Sequence, residues 1–205
     1  MKIKSMEVGS FAANCYLVSC EETGESILID PGAQAQQILQ MVEDAEAKVK
    51  YIVHTHGHVD HMGAAADIKK ALGVPLLIHD ADSELIKNPH DDLGAYFGEV
   101  KPVHPDRSLQ DREKITFGNA ELEIITTPGH SKGSVCLYGE TILFSGDTLF
   151  SGSIGRTDLP GGSFDEIIRS IKEKLLVLPD DTAVYPGHGP ATTIAREKQY
   201  NPFLK

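Results

Sequence analysis

The stretch YIVHTHGHVDH (residues 51–61) places four of the chain's nine histidines directly behind a short apolar run. The run YIV predicts a buried β-strand, so the histidines would lie in the loop that follows it. In extended backbone, residues two apart point the same way, which lets His56 and His58 reach one ion. Asp60 and His61 stand at the entry to a predicted helix and can face a second point nearby. The stretch therefore predicts a metal site at the end of a strand.

Three later segments repeat this arrangement of an apolar strand followed by a metal-competent side chain. IITTP leads to Gly129-His130, TILFS to Gly146-Asp147, and AVYP to Gly187-His188. Loops held at strand ends by a rigid sheet are where enzymes place functional groups, and the glycines permit sharp turns. Nitrogen donors with few carboxylates and no cysteine suit zinc, and also iron or manganese. We expect these loops to complete the metal centre begun at His56.

Hydrophobic periodicity in the rest of the chain predicts a mixed α/β architecture in a single domain over residues 1–205. Strands are expected at CYLVSC, SILID, VPLLIHD and SVCLY, and a hairpin at ITFGNAELEIITT. Helices are expected at DPGAQAQQILQMVEDA, at MGAAADIKKALGV with Gly73 as its end, and at FDEIIRSIKEKLLVL. The last has one apolar face, formed by Ile167, Ile168, Ile171, Leu175 and Leu178. The polar stretch from about Ser83 to Pro105 predicts a segment without regular secondary structure that covers another part of the molecule.

Composition limits the partners of the chain. Its formal net charge is −11, from 19 Lys and Arg against 30 Asp and Glu, which argues against nucleic acid because phosphate binding needs a basic face. The N-terminal MKIKSMEV lacks the apolar run of a signal peptide, and no stretch has membrane-spanning length. We therefore expect a cytoplasmic protein without a membrane partner. Cys15, Cys20 and Cys136 show no metal-site spacing and predict buried free thiols.

Other candidate residues have ordinary structural interpretations. Isolated histidines are usually surface or core residues, and this interpretation applies to His54, His79, His90 and His104. Asp30 precedes Pro31-Gly32, so it is either a turn residue or a carboxylate that orients a ligand histidine by a hydrogen bond. The sequence leaves these two alternatives open, and it does not determine the oligomeric state.

The histidine motifs resemble those of the metallo-β-lactamase superfamily. THGHVDH (55–61), PGH (128–130), SGD (145–147) and PGH (186–188) match that family motif for motif and in order. GRTDLPGGS (155–163) and NPFL (201–204) are similar to the short bacterial relatives of glyoxalase II, the hydroxyacylglutathione hydrolases. The resemblance covers essentially the whole chain. It implies a four-layer αββα sandwich of two mixed β-sheets flanked by helices, with metal ions at one edge between the sheets.

The resemblance also implies a set of metal ligands. His56, His58 and His130 would hold the first ion, Asp60, His61 and His188 the second, and Asp147 would bridge both. The two divalent ions would be zinc in the first place, with iron or manganese as alternatives. Asp60 would also orient a metal-bridged hydroxide toward the carbonyl carbon of a small thioester such as S-lactoylglutathione. The implied function is that of a binuclear thioester hydrolase.

The chain departs from full-length glyoxalase II at two places. That family has a C-terminal helical segment whose basic side chains hold glutathione, and we do not expect such a segment after NPFL in this chain. It also commonly has a second histidine where this sequence has Ser134. Recognition of glutathione is therefore expected to differ, although metal-dependent hydrolysis is not. Arg156 and Asp158 are predicted to form a buried ion pair that shapes their loop.

The sequence motifs leave two other functions open. Persulfide dioxygenases resemble the same family, share GRTD, and use one iron held by the equivalents of His56, His130 and Asp147. Leu159-Pro160 replaces the Phe-Gln expected after GRTD in those enzymes, which favours the hydrolase. The third interpretation is a metal-binding module that serves a partner without turnover, but so complete a ligand set would be excessive for binding alone.

Overall fold

The first of two six-stranded β-sheets is built from the N-terminal half of the chain. A computed structural model describes residues 1–89 and 100–205. The strands, in chain order and in sheet order, are β1 (Lys2–Val8), β2 (Ala13–Ser19), β3 (Glu25–Ile29), β4 (Lys48–Val53), β5 (Leu76–His79) and β6 (Arg107–Leu109). The pairs β1–β2 and β2–β3 are antiparallel, and β3 through β6 are parallel. The sheet is therefore mixed.

The second sheet is built from the C-terminal half. Its strands are β7 (Lys114–Phe117), β8 (Ala120–Thr126), β9 (Val135–Gly139) and β10 (Ile142–Gly146); the chain then forms the small pair β11 (Leu149–Phe150) and β12 (Ser153–Ile154) before β13 (Ala183–Pro186) and β14 (Thr192–Thr193). The sheet order is β14-β13-β10-β9-β8-β7. Only the β10–β13 pair in this sheet is parallel among the described residues.

Helices cover the outer faces of the sheets. They are α1 (Ala35–Asp44), α2 (Val59–Met62), α3 (Ala65–Leu72), α4 (Ser83–Lys87), α5 (Phe164–Ser170) and α6 (Ile194–Tyr200), with short 3-10 turns at Asp80–Asp82 and Pro202–Leu204. The predicted amphipathic helix begins as α5 and continues as a π-helical turn over Ile171–Leu175. Within the described residues, none of the helices has the length and apolarity needed to span a membrane.

Alternation of side chains along the strands produces three hydrophobic layers. In β2, Tyr16 and Val18 pack between the sheets, whereas Leu17 packs under the helices of the first half. In β9, Leu137 likewise faces the other sheet, whereas Cys136 faces α5. Successive strand residues point to opposite faces, so each sheet contributes to two layers. This is the expected αββα sandwich.

Most predicted elements are present, and the differences have local causes. The prediction missed β1, whose sequence KIKSMEV carries charged and half-buried residues, as is common in a strand at a sheet edge. The expected irregular stretch is wrong over Ser83–Lys87, which forms α4 around the buried Ile86. The remainder of that prediction over residues 90–99, including His90, lies outside the described residues. All three cysteines are buried and free, as expected.

Substitution of Phe144 tests the packing of the hydrophobic layer between the two sheets. Its ring is 1% exposed and its centroid lies 5.2 Å from that of Tyr16. Phe144→Ala should lower the free energy of unfolding by about 3–5 kcal/mol, because it removes buried apolar surface and leaves a cavity. The matched control Phe164→Ala, at a side chain 51% exposed, should change it by less than about 0.5 kcal/mol. Urea denaturation measures both, and equal effects would contradict this assignment of the core.

Candidate metal centre

The ends of four strands meet at one edge of the sandwich. The loop after β4 carries His56 and His58, and the loops after β8, β10 and β13 carry His130, Asp147 and His188. Hydrogen bonds join the two sheets here. The Val135 amide donates to the Thr55 carbonyl at 2.8 Å, and the Asn14 amide donates to the Gly187 carbonyl at 2.7 Å. Residues more than a hundred positions apart are thereby held in one site.

The first cluster is a triad of buried histidines. The candidate ligand atoms of His56, His58 and His130 all lie within 4.8 Å of one another. His58 Nδ1 is 2.8 Å from His130 Nε2, which is 3.3 Å from His56 Nε2. Three imidazole nitrogens therefore converge on one point, as the spacing of His56 and His58 predicts.

The second cluster joins one carboxylate to two histidines. The candidate ligand atoms of Asp60, His61 and His188 also lie within 4.8 Å of one another. His188 Nε2 is 3.1 Å from His61 Nε2 and 3.2 Å from Asp60 Oδ2. Asp60 and His61 belong to α2, which begins immediately after His58, so a single short segment contributes to both triads.

Asp147 lies between the two triads. Its Oδ1 is 3.4 Å from His61 Nε2, and its Oδ2 is 3.6 Å from His130 Nε2 and 3.6 Å from His188 Nε2. The carboxylate thus contacts a histidine of each triad. Gly187 permits this approach, because a Cβ atom at that position would collide with Asp147 Oδ1.

Hydrogen bonds to the outer ring nitrogens orient the histidines. His130 Nδ1 donates to the Arg156 carbonyl at 2.8 Å, and His188 Nδ1 donates to the Phe11 carbonyl at 3.0 Å. His61 Nδ1 donates to Asp30 Oδ2 at 3.1 Å. In a neutral ring with Nδ1 protonated, Nε2 carries a lone pair. The Nε2 lone pairs of these three rings therefore face into the centre, as in metal-binding histidines.

Divalent cations fit this donor set. When His61 and His188 are neutral, their Nε2 lone pairs face each other across 3.1 Å, an arrangement that a cation between them would stabilise. Asp147 Oδ1 is buried and has no hydrogen-bond partner among the described residues. A buried acceptor left unpaired is costly, so both observations point to a missing positive charge. Imidazole and carboxylate donors suit zinc, iron and manganese alike.

Burial and neighbouring charges set the protonation of the two triads differently. Burial, together with the nearby His130, lowers the pKa of His58 to about 4, and burial lowers the pKa of His56 well below its usual value. Burial also disfavours a charged His61, but the carboxylates of Asp147 and Asp60 outweigh it and raise the pKa of His61 well above its usual value. His56 and His58 are therefore neutral, whereas the second triad attracts positive charge.

Asp30 combines both of the interpretations left open by the sequence. Its backbone has a left-handed φ of 49°, and its side chain is buried. Oδ1 accepts from the Thr55 amide at 2.8 Å, and Oδ2 accepts from Thr55 Oγ1 at 2.6 Å. Thr55 Oγ1 in turn lies 3.0 Å from His56 Nδ1, so Asp30 acts on His56 through Thr55 as well as on His61 directly.

The other histidines lie outside the two triads. His54 is a fully buried core residue whose Nδ1 is 3.6 Å from Asp30 Oδ1. His79 is partly buried, and its Nδ1 accepts from the Ala81 amide at 3.3 Å. His104 is exposed. The surface or core interpretation thus holds for these three residues.

The predicted burial of the Arg156–Asp158 ion pair is wrong. The pair forms with two bonds, from Arg156 Nε to Asp158 Oδ1 and from Arg156 Nη2 to Asp158 Oδ2, both at 2.8 Å. However, the two side chains are 55% and 69% exposed. A buried pair would lose hydration, whereas this loop extends to the surface and keeps both charges in water. It is the backbone carbonyl of Arg156 that supports the site.

Asp82 is a positioning residue that the sequence interpretation missed. Its carboxylate is buried and accepts from the Gly57 amide at 3.0 Å, Ser131 Oγ at 2.6 Å and the Gly133 amide at 2.7 Å. Gly57 separates His56 from His58, and Ser131 follows His130. One carboxylate therefore joins the two loops of the first triad. A signal was present, because Asp82 closely follows the end of the predicted strand VPLLIHD, as the other site residues follow theirs.

Replacement of Asp82 tests this role. Asp82→Asn replaces one accepting oxygen by an amide donor, which should loosen both loops and weaken metal binding by about 10- to 100-fold. Asp80→Asn, two residues away at an exposed position, is the matched control and should bind metal as the parent does. Competition with a chromogenic chelator measures the affinity. Equal affinities for the two variants would contradict the role of Asp82.

The chain matches a known family over most of its length. The sequence pattern described as "Metallo-beta-lactamase superfamily" matches residues 8–188. An uncharacterized protein of Aquifex aeolicus is 43% identical over 99% of this chain and 97% of its own length. Hydroxyacylglutathione hydrolase GloC of Haemophilus influenzae is 36% identical over 100% of this chain and 98% of its own length.

Three solved structures have the same fold. The BLEG-1 B3 metallo-β-lactamase superimposes with a TM-score of 0.92 at 34% identity, covering 99% of each chain. TTHA1623 in a di-iron-bound form gives 0.88 at 38% identity, covering 98% of this chain and 100% of its own. ETHE1 from Myxococcus xanthus gives 0.83 at 26% identity, covering 98% and 84%. The chain therefore belongs to the metallo-β-lactamase superfamily.

Proposed function

We propose that this protein is a binuclear metal-dependent hydrolase of the glyoxalase II type, acting on a small thioester such as S-lactoylglutathione. The observation that carries the proposal is the position of Asp147, whose carboxylate contacts histidines of both triads. A single carboxylate between two donor triads suits a pair of ions about 3.5–4 Å apart. The similarity to a hydroxyacylglutathione hydrolase supports the choice of a thioester.

We assign the ligands accordingly. His56, His58 and His130 would hold one ion, Asp60, His61 and His188 the other, and Asp147 would bridge them. Zinc is the first candidate because of the histidine content. Iron is supported by the similar protein that has been crystallised in a di-iron-bound form, and manganese accepts the same donors.

When bound, the two ions would supply a water activated near neutral pH and a positive charge that polarises the thioester carbonyl. The remaining requirements fall to side chains. Although burial opposes it, the charges of His61 and His188 keep the pKa of Asp60 well below its usual range, so this carboxylate is ionised. Asp60 can therefore accept a hydrogen bond from the attacking water and hold its lone pair toward the carbonyl carbon. A thiolate leaves without strong help from an acid, so no further proton donor is required.

A mononuclear iron persulfide dioxygenase is the second candidate. The similarity to ETHE1 favours it, since that structure shares the fold at 26% identity. Such an enzyme would need only His56, His130 and Asp147, and would leave Asp60, His61 and His188 without a metal. The proximity of these three donor groups to one another favours a second ion and hence the hydrolase.

Metal content and parallel assays test the proposal. Protein purified without added metal should contain close to two ions per chain and hydrolyse S-lactoylglutathione. Asp147→Ala should lose metal and at least about 100-fold in kcat/KM, because both ions lose a ligand. The exposed Asp165→Ala is the matched control.

Three results would contradict the hydrolase. One iron per chain with oxygen uptake on glutathione persulfide would identify a dioxygenase. Hydrolysis of a β-lactam in place of the thioester would indicate a β-lactamase, as the name of BLEG-1 states for that protein. Bound metal without turnover of any substrate would indicate the non-catalytic module.

Metal binding should also depend on pH. Burial disfavours a charged His188, but Asp60 and Asp147 raise the pKa of His188, as they raise that of His61. The two rings therefore keep their protons to a higher pH than a free histidine does, and a cation must displace those protons, so affinity should fall as the pH falls. Titration calorimetry in two buffers of different ionisation enthalpy should detect protons released on binding. Binding without proton release, with an affinity independent of pH, would refute this expectation.

A further inference from the structure

The candidate metal centre opens into a cavity of about 380 Å³. Beyond the residues of the two triads and Asp147, the lining consists of Phe11, Phe150, Ser153, Ile154, Arg156 and Leu159. Four of these six described residues are apolar. The volume lies within the range of about 300–1,000 Å³ that small-molecule sites occupy. The cavity is therefore large enough for a substituent of the substrate.

The apolar wall begins directly beside the metal centre. The ring of Phe150 makes an edge contact with the ring of His188, with centroids 6.2 Å apart. Phe11 is 40% exposed, and Leu159 is partly exposed. Apolar surface that faces a cavity is stabilised when an apolar group removes it from water. The wall thus favours a hydrocarbon substituent next to the reacting carbonyl.

The side chains of the cavity wall beyond the candidate metal centre do not favour an anionic substituent. Arg156 is the only lysine or arginine among the described lining residues, and both of its bonds to Asp158 are 2.8 Å long. Its positive charge is therefore already compensated by a carboxylate in bidentate geometry. Residues 90–99 could not alter this balance by adding a lysine or arginine, since their sequence HDDLGAYFGE contains neither.

We propose that the cavity receives the acyl group of the thioester and selects acyl groups that are uncharged and apolar. This inference rests on the proposed hydrolase function and specifies its substrate class. The thiol portion, where it carries charges as glutathione does, would stay in water at the mouth, because burying those charges without partners is costly. The acyl group would then lie against Phe150 and Leu159, with its carbonyl carbon at the metal centre.

A series of glutathione thioesters that differ only in the acyl group tests the selection. The series comprises lactoyl, butyryl, hexanoyl and succinyl glutathione. The value of kcat/KM should rise about tenfold from butyryl to hexanoyl, because two more methylene groups are buried. Lactoyl and succinyl thioesters should be slower than butyryl. Equal rates across the series, or a preference for lactoyl or succinyl, would overturn the proposal.

Leu159 provides the variant for this series. Leu159→Gln keeps a similar volume but introduces a polar group, and it should reduce the hexanoyl-to-butyryl ratio to about one. Leu159→Met, which stays apolar, should keep the ratio. Val177→Gln, at a side chain 70% exposed outside the cavity lining, is the matched control and should also keep it. Metal content measured on each variant separates a change in selectivity from damage to the centre. An unchanged ratio in Leu159→Gln with full metal content would contradict the proposed contact.

Asp158→Asn tests the charge argument separately. Removal of the carboxylate frees the Arg156 guanidinium, so the succinyl-to-butyryl ratio of kcat/KM should increase at least about tenfold. An unchanged ratio would mean that the compensated Arg156 does not control the acyl preference. Failure of the proposed function gives a different result, since no thioester of any series would then be hydrolysed. Hydrolysis of all acyl groups at one rate would overturn the acyl selection alone.

Discussion

The buried carboxylate of Asp30 is the interaction on which the metal centre depends. It follows β3, accepts two bonds from Thr55 behind β4, and accepts a third from His61 in α2. Burial would raise the pKa of Asp30, but the neighbouring His54 and the hydrogen bond from His61 keep that pKa well below its usual range. One ionised group thus fixes the loop that carries both halves of the histidine motif. Removal of this carboxylate would leave its buried partners unpaired and would lower the free energy of unfolding by about 3–5 kcal/mol.

The two sheets contribute unequal shares of this centre. The first sheet supplies the candidate ligands that are contiguous in sequence, and the second supplies His130, Asp147 and His188 from three separate strand ends. Hydrogen bonds between the two sheets hold these two groups of residues together. One of them runs from Tyr16 Oη to the Pro186 carbonyl at 2.6 Å. The geometry of the centre therefore depends on the packing between the sheets.

The identity of the metal ligands does not by itself decide the function of such a site. The same histidines and aspartates could serve a hydrolase with two ions or an oxygenase with one, so metal number and the cavity beyond the ions discriminate between them. Here the cavity wall beyond the candidate ligands is mostly apolar, and the only arginine among its described residues is paired with Asp158. The protein as a whole is acidic, with a net charge of −11, and offers little attraction for an anionic acyl group. Substrate choice would then rest on the burial of apolar surface.

The sequence by itself predicted the candidate ligands, the strand ends that carry them and the mixed α/β class of fold, because periodicity and turn residues are local properties. It also indicated that His54 stands apart from the triads. Only the tertiary structure decided how the ring nitrogens are oriented and that Asp82 joins two loops, since those contacts link residues far apart in the chain. It likewise decided that Asp30 is both a turn residue and a partner of His61, and that the Arg156–Asp158 pair lies in water. Burial depends on what the rest of the chain packs against each position, which no local pattern contains.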